Sequence, residues 1–168
     1  MSKRHIALLS FVSLAFLSAC SSTKLDNNTS DVTGKAVDAT GVSNVAPVVA
    51  DHLNPNSLIS TQRSVYFDFD QFNVKSSEAA VVERQGKYLA SKPNLAIRLE
   101  GNADERGGRE YNLALGQKRA EAVRRALSVL GVPEAQMESV SFGKEKPVAQ
   151  GSDESAYAQN RRAALNYQ

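Results

Sequence analysis

The stretch LEGNADERGGREYNLALGQKR, residues 99–119, decides the fold. Leu95, Ile97 and Leu99 alternate with Ala96, Arg98 and Glu100, the period of two expected where one face of a strand is buried. Gly101 is expected to end that run, and a polar loop follows from Asn102 to Glu110. From about Tyr111 to Leu130 the apolar spacing becomes helical. Leu115, Val123, Ala126 and Leu130 fall within a narrow arc at about 100° per residue. Gly131 followed by Pro133 stops the helix.

Two polar residues interrupt the buried arc. Asn112 and Arg119 project the same way as Leu115 and Val123, so an amide and a guanidinium sit on the face that meets the core. Arginine is almost never buried unpaired. The preceding loop offers Asp104, Glu105 and Glu110 as partners, beside Arg106 and Arg109. Two readings stand open. One is a structural ion pair holding the loop to the helix; the other is a small pocket that reads a zwitterion, one side taking an ammonium and the other a carboxylate.

Working outward, Val65, Phe67 and Phe69 alternate with Tyr66, Asp68 and Asp70, a strand with a core face over residues 64–70. Ser76 or Ser77 is placed to cap a helix with Glu78 in its first turn. Its inward side is Ala79, Val82, Gly86 or Tyr88, and Leu89, and Pro93 lies beyond its end. After the long helix come a short turn, a strand at Ser139 to Phe142, a polar loop through Gly143, Pro147 and Gly151, a helical turn near Tyr157 to Asn160 and a strand from Arg162 to Tyr167. This order predicts an α+β domain, two main helices packed on one face of a mixed four-stranded sheet. It occupies residues 58–168.

The N-terminus reads differently. Lys3 and Arg4 precede an apolar run from Ile6 to Leu17, too short for a stable span and proportioned like the core of a secretory signal over residues 1–19. The run ends in Leu17-Ser18-Ala19-Cys20, which resembles the bacterial lipobox, and Cys20 is the only cysteine. The resemblance implies a mature chain that begins at a triacylated Cys20. Several acyl chains anchor stably where one is marginal. In the Gram-negative lipoproteins it resembles, the lack of Asp after the cysteine goes with export to the outer membrane, and Ser21 carries the same implication here. Residues 20–57 then form a lipidated, flexible tether rich in Ser, Thr, Asn and Asp, with a reach of roughly 30 Å or more as a coil.

Composition excludes several classes. Once Lys3 and Arg4 leave with the signal, 18 basic residues balance 18 acidic ones, so no nucleic-acid partner is implied. The two histidines are His5, in the signal, and His52, in the tether, which leaves the expected domain without the usual nucleophile–histidine pairs or histidine metal sites. Gly107-Gly108 precedes a helix, but Glu105 and Glu110 oppose a phosphate. Asp68 and Asp70, roughly 7 Å apart on one strand face, could be joined with Asp104 and Glu105 into a paired-carboxylate glycosidase site; the alternative is a solvated face. The expectation is no enzyme, with no catalytic residue, cofactor or metal.

Four runs carry a resemblance: Val65 to Asp70, Glu100 to Gly107 with Glu110-Tyr111-Asn112, Val140 to Pro147, and Asn160-Arg161-Arg162. In order and together they resemble the lipid-anchored, peptidoglycan-associated branch of the OmpA C-terminal domain family. That resemblance implies an OmpA-like domain that binds meso-diaminopimelate of the peptidoglycan stem peptide without catalysis. Asp104 would meet the ammonium and Arg119 a carboxylate, with Asn112 and Arg161 adding hydrogen bonds. It further implies a periplasm-facing protein anchored in the outer membrane that partners TolB in the Tol system, supporting envelope integrity and division. The alternative is an OmpA-like wall-binding lipoprotein outside the Tol system. Asn102 departs from the family, where many members have His.

Overall fold

In the computed structural model, which describes residues 48–168, the chain runs α1 (Leu58–Thr61), β1 (Ser64–Tyr66), a 3-10 turn (Ser76–Glu78), α2 (Ala79–Ala90), β2 (Ile97–Asn102), α3 (Arg109–Val129), a second 3-10 turn (Glu134–Gln136), β3 (Met137–Gly143), α4 (Glu154–Asn160) and β4 (Arg162–Tyr167). The expected signal, Cys20 and the tether through residue 47 lie outside the described residues. The strands order as β1-β4-β2-β3. Only β2 and β3 are parallel, as a crossover through α3 requires. Both β1 and β2 run antiparallel to β4, so the sheet is mixed as expected. Among the described residues no helix is long and apolar enough to cross a membrane.

The core lies between the sheet and the paired helices α2 and α3. Val65, Leu99, Ala163 and Leu165 meet Leu89, Val123 and Leu127 there, all almost wholly buried. Replacing Leu99 by Ala would cost about 2–5 kcal/mol through lost transfer energy and the cavity left behind. The inward face of α3 is Leu115, Ala120, Val123 and Leu127. Ala126 is only partly buried and Leu130 lies at the helix end, so the arc expected from the sequence is rotated toward Leu127. The helix closes with Gly131 at φ 90°: Val132 N donates to Leu127 O and Gly131 N to Ser128 O, the paired bonds of a Schellman cap. Val132 then tucks into the core.

Four expectations change. The first strand ends at Tyr66 instead of reaching Asp70, because Asp70 adopts a left-handed φ of 56° and the chain turns outward. Phe67 stays buried, whereas Phe69, expected to face inward, is exposed. No serine side chain caps α2, which instead grows out of the 3-10 turn, and its inward side includes Gln85 while Ala79 is exposed. β2 also passes through Gly101 to Asn102, with a register shift between them. Finally, His52 packs on the domain: its Nδ1 lies 2.8 Å from the Tyr88 hydroxyl and its ring 5.2 Å from that of Tyr167, so the domain surface does carry a histidine.

Three buried long polar side chains fasten loops to this core. Gln85 Nε2 donates to the carbonyls of Ile59 and Gln62, which ties α1 to α2. Gln136 Nε2 donates to those of Lys92 and Leu95, which holds the α2–β2 connection. Arg119 is the third. It shapes the site described next.

Candidate binding site

The C-terminal end of β2, the loop 103–108 and the first two turns of α3 surround a cavity of about 250 Å³. Its wall includes Phe69, Asp70, Asp104, Arg106, Tyr111, Asn112 and Arg119. Side-chain and backbone bonds pin the loop from three elements. Asn112 Nδ2, on α3, donates to the Arg106 carbonyl at 2.8 Å; Lys144 Nζ, just past β3, donates to the Gly107 carbonyl at 2.9 Å; the Tyr157 hydroxyl, on α4, donates to Glu105 Oε1 at 2.9 Å. Ala103 N donates to Gly143 O at 2.8 Å and extends the ladder past the end of β2. The loop is short and held at nearly every residue.

Arg119 is fully buried, and its guanidinium meets backbone oxygens rather than a carboxylate. Nη1 donates to Asn102 O at 2.7 Å, Nε to Gln71 O at 2.8 Å and Nη2 to Asp68 O at 3.1 Å. The expected partner set of Asp104, Glu105 and Glu110 is therefore not the one observed. A planar fork with five N–H groups reaches three carbonyls at once, two in the loop after β1 and one at the end of β2, in a fixed geometry that an ammonium lacks. Burial, and next the like charge of Arg161, bring its pKa down to about 10, so it remains a cation at neutral pH.

Asp104 is the buried carboxylate. Arg106 grips it through Nε at 3.2 Å and Nη2 at 2.7 Å, the Arg106 backbone N donates at 3.2 Å, and Arg161 Nη1 reaches it at 3.3 Å. Burial pushes this carboxyl up, but the Arg106 and Arg161 donors together outweigh it and hold it below its ordinary value. Arg161 is itself buried, bonded also to Phe67 O at 3.0 Å and Glu154 Oε1 at 2.6 Å. So a structural ion pair does hold the loop, with Arg161 and Arg106 as the cations. Arg119 and Asp104 then border one cavity as separate opposite charges.

The structure brings three of the four expected wall-contact residues, Asp104, Asn112 and Arg119, to the cavity wall; Arg161 reaches Asp104 without being part of that wall. Asn102 is buried, its Nδ2 donating to Glu100 O at 2.9 Å, and it too is absent from the wall. Asn102 therefore stands outside the cavity wall, with its carbonyl bonded to Arg119. Sequence reasoning missed Phe69 and Tyr111. Alternation points Phe69 inward but breaks at Asp70, and Tyr111 donates from its hydroxyl to Asp70 Oδ1, a pairing across 41 residues with no local signal. Asp68, by contrast, pairs with Lys75 at the surface, so the carboxylates imagined as a glycosidase pair have different partners. Among the described residues, no group of three His, Cys, Asp or Glu is arranged to hold a metal ion.

Residues 66–161 match the OmpA family, a span that runs from the end of β1 to Arg161. The chain is 40% identical over 167 residues to the peptidoglycan-associated lipoprotein of Pasteurella multocida, covering 99% of this chain and all of that one. The same protein of Haemophilus influenzae is also 40% identical over 167 residues, with the same coverage. Among solved structures, the peptidoglycan-associated lipoprotein from Burkholderia pseudomallei is 60% identical, covers 71% of this chain and 100% of its own, and superposes with a TM-score of 0.68. The C-terminal domain of Helicobacter pylori MotB shares the fold at 21% identity, with a TM-score of 0.55 over 61% of this chain and 83% of that one. The chain thus belongs to the OmpA family, among its peptidoglycan-associated lipoproteins.

Proposed function

We propose that this chain binds peptidoglycan non-covalently through the diaminopimelate of the stem peptide and links it to the outer membrane through an acylated Cys20. Asp104 receives the ligand ammonium. Arg119, with three of its five N–H donors committed to carbonyls, offers the remaining two to a ligand carboxylate. Asn112 borders the same cavity and Arg161 acts by fixing the Asp104 carboxylate. The observation that carries this reading is a cavity whose wall brings together the buried Asp104 carboxylate and the buried Arg119 guanidinium, which do not pair with each other. The name borne by the relatives, peptidoglycan-associated lipoprotein, supports the wall as the source of the ligand. Nothing in the reading calls for catalysis.

An outer-membrane anchor at one end and a wall grip at the other couple the two layers mechanically. Partnership with TolB in the Tol system, and through it a role in envelope constriction at division, completes the proposal. The test uses the full chain in mild detergent with purified sacculi. Wild type cosediments and releases no soluble muropeptides, whereas Asp104→Asn stays in the supernatant while its thermal melt remains cooperative. A folded Asp104→Asn that sediments like wild type overturns the pocket assignment. Co-purification with TolB tests the Tol partnership separately, and its failure leaves a wall-binding lipoprotein outside that system.

A further inference from the structure

The Asp104 carboxylate has no position open for a ligand. Its two oxygens take four donors: Arg106 Nε and N on Oδ1, Arg106 Nη2 and Arg161 Nη1 on Oδ2. A carboxylate has about four lone-pair sites, so a further ammonium must displace one of these donors. Arg161 is poorly placed to leave, since its side chain is only 6% exposed and is tied to Phe67 O and Glu154. Arg106 is different. Its side chain is 36% exposed, it borders the cavity, and its guanidinium lies between two aromatic rings, 4.1 Å from the Phe69 centroid and 4.4 Å from that of Tyr157. Such faces hold a cation without fixing one geometry.

Charge points the same way. Asp104 and Glu154 stand against Arg106 and Arg161, two anions and two cations in contact. A ligand ammonium would put three cations on the one Asp104 carboxylate unless Arg106 moves off, and Glu154 Oε2 already lies 3.7 Å from Arg106 Nη2. We propose that Arg106 is a built-in competitor: it occupies, in the ligand-free chain, the place at Asp104 that the ligand ammonium takes, and binding is an exchange in which Arg106 slides out toward Glu154. Affinity is then set by the difference between the two cations at Asp104. A ligand whose amine is acylated cannot make the exchange. Arg106 is in this sense a specificity-determining residue.

This rests on the diaminopimelate reading above, and the experiment separates the two. A soluble muropeptide carrying meso-diaminopimelate is titrated into the full chain by calorimetry. Arg106→Met, which keeps bulk and removes the charge, is expected to bind more tightly by about threefold or more, since the competent state is no longer withheld. In wild type, the Arg106 Nε–H resonance is expected to lose its carboxylate-bonded shift on saturation, a readout that needs no variant to fold. Weaker or unchanged binding by folded Arg106→Met, or an Nε–H signal unmoved at saturation, overturns the exchange. If Asp104→Asn loses binding in the same series, the wall reading survives that failure; if wild type does not bind or Asp104→Asn binds like wild type, the wall reading falls and the exchange with it.

Discussion

Gly101 on β2 and Gly116 on α3 touch backbone to backbone: a Cβ added to Gly101 would lie 1.8 Å from the Gly116 carbonyl oxygen, and one added to Gly116 would lie 2.7 Å from that of Gly101. This contact seats α3 directly on the end of β2 and sets the distance from Asn112 and Arg119 to the loop that carries Asp104. Gly101→Ala is expected to destabilise by about 3 kcal/mol or more, the upper end for overpacking, because backbone on both sides must move. It should also lose sacculus binding out of proportion to the unfolded fraction, since the helix shift moves the cavity wall. Gly108→Ser is the control. Nothing lies within 4 Å of a Cβ there, its φ of −76° suits any residue, and serine is a better N-cap, so its urea midpoint should equal or exceed that of wild type. A Gly101→Ala variant with a wild-type midpoint would show that the two elements separate at no cost.

Arg119 ties α3 to two segments by its bonds to Asp68 O and Gln71 O in the loop after β1 and to Asn102 O at the end of β2. Arg119→Met fills the volume but leaves these carbonyls without their donor. Each such loss costs about 1–3 kcal/mol when water cannot replace it, so the total should reach about 3 kcal/mol or more. Arg119→Lys should fall between, because an ammonium cannot span the fork. Urea unfolding with an unchanged slope and a lowered midpoint is the expected record. Loss of wall binding in an Arg119 variant therefore mixes fold and ligand effects, and Asp104→Asn is the cleaner probe of the site. A wild-type midpoint for Arg119→Met would mean that the three carbonyls rehydrate.

The Asp104 carboxyl is held below its ordinary value of 3.8. A carboxyl with a depressed folded pKa contributes stability that is present above the unfolded value and is lost as pH falls through the folded one. Wild type should therefore lose stability to urea as the medium is taken from about pH 5 down to about pH 3, and a good part of that slope should vanish in Asp104→Asn, which has no proton to gain. Sacculus binding by the folded chain should persist to lower pH than this, because folded Asp104 takes up its proton only below its ordinary value. Identical acid limbs for wild type and Asp104→Asn would assign the slope to other carboxylates.

Much of this architecture is legible in the chain where side-chain direction follows from a regular backbone. β4 spans Arg162–Tyr167 as read from the sequence, and the alternation of Ile97 and Leu99 with Arg98 and Glu100 matches their burial. The presence of Asn112 and Arg119 on the buried face of α3 was equally visible, and it located the cavity. What they bond to was not. Arg119 finds carbonyls 17, 48 and 51 residues away, and a backbone oxygen leaves no trace in residue type. The same holds for Gln85, whose partners lie 23 and 26 residues off. Alternation failed at Phe69 because it presumes an extended chain, and the left-handed Asp70 ends that geometry. The Arg106 sandwich depended on that failure, since Phe69 can cover Arg106 only by facing out.

Gln85 offers a way to separate stability from binding. It is fully buried, its Nε2 donates to Ile59 O at 3.0 Å and Gln62 O at 2.8 Å, and its Oε1 accepts from the Tyr167 hydroxyl. Gln85→Leu keeps the volume and strands two carbonyls and a hydroxyl, a loss of about 3 kcal/mol if water does not reach them. Hydrogen exchange should quicken first in α1, which the amide ties down, before the sheet loses protection. None of Gln85, Ile59 or Tyr167 belongs to the cavity wall. The folded fraction of Gln85→Leu should therefore bind sacculi with wild-type affinity while its urea midpoint falls. A weakened affinity at temperatures where the variant is fully folded would show that α1 and the cavity are energetically coupled, and would require a path through the core from α2 to α3.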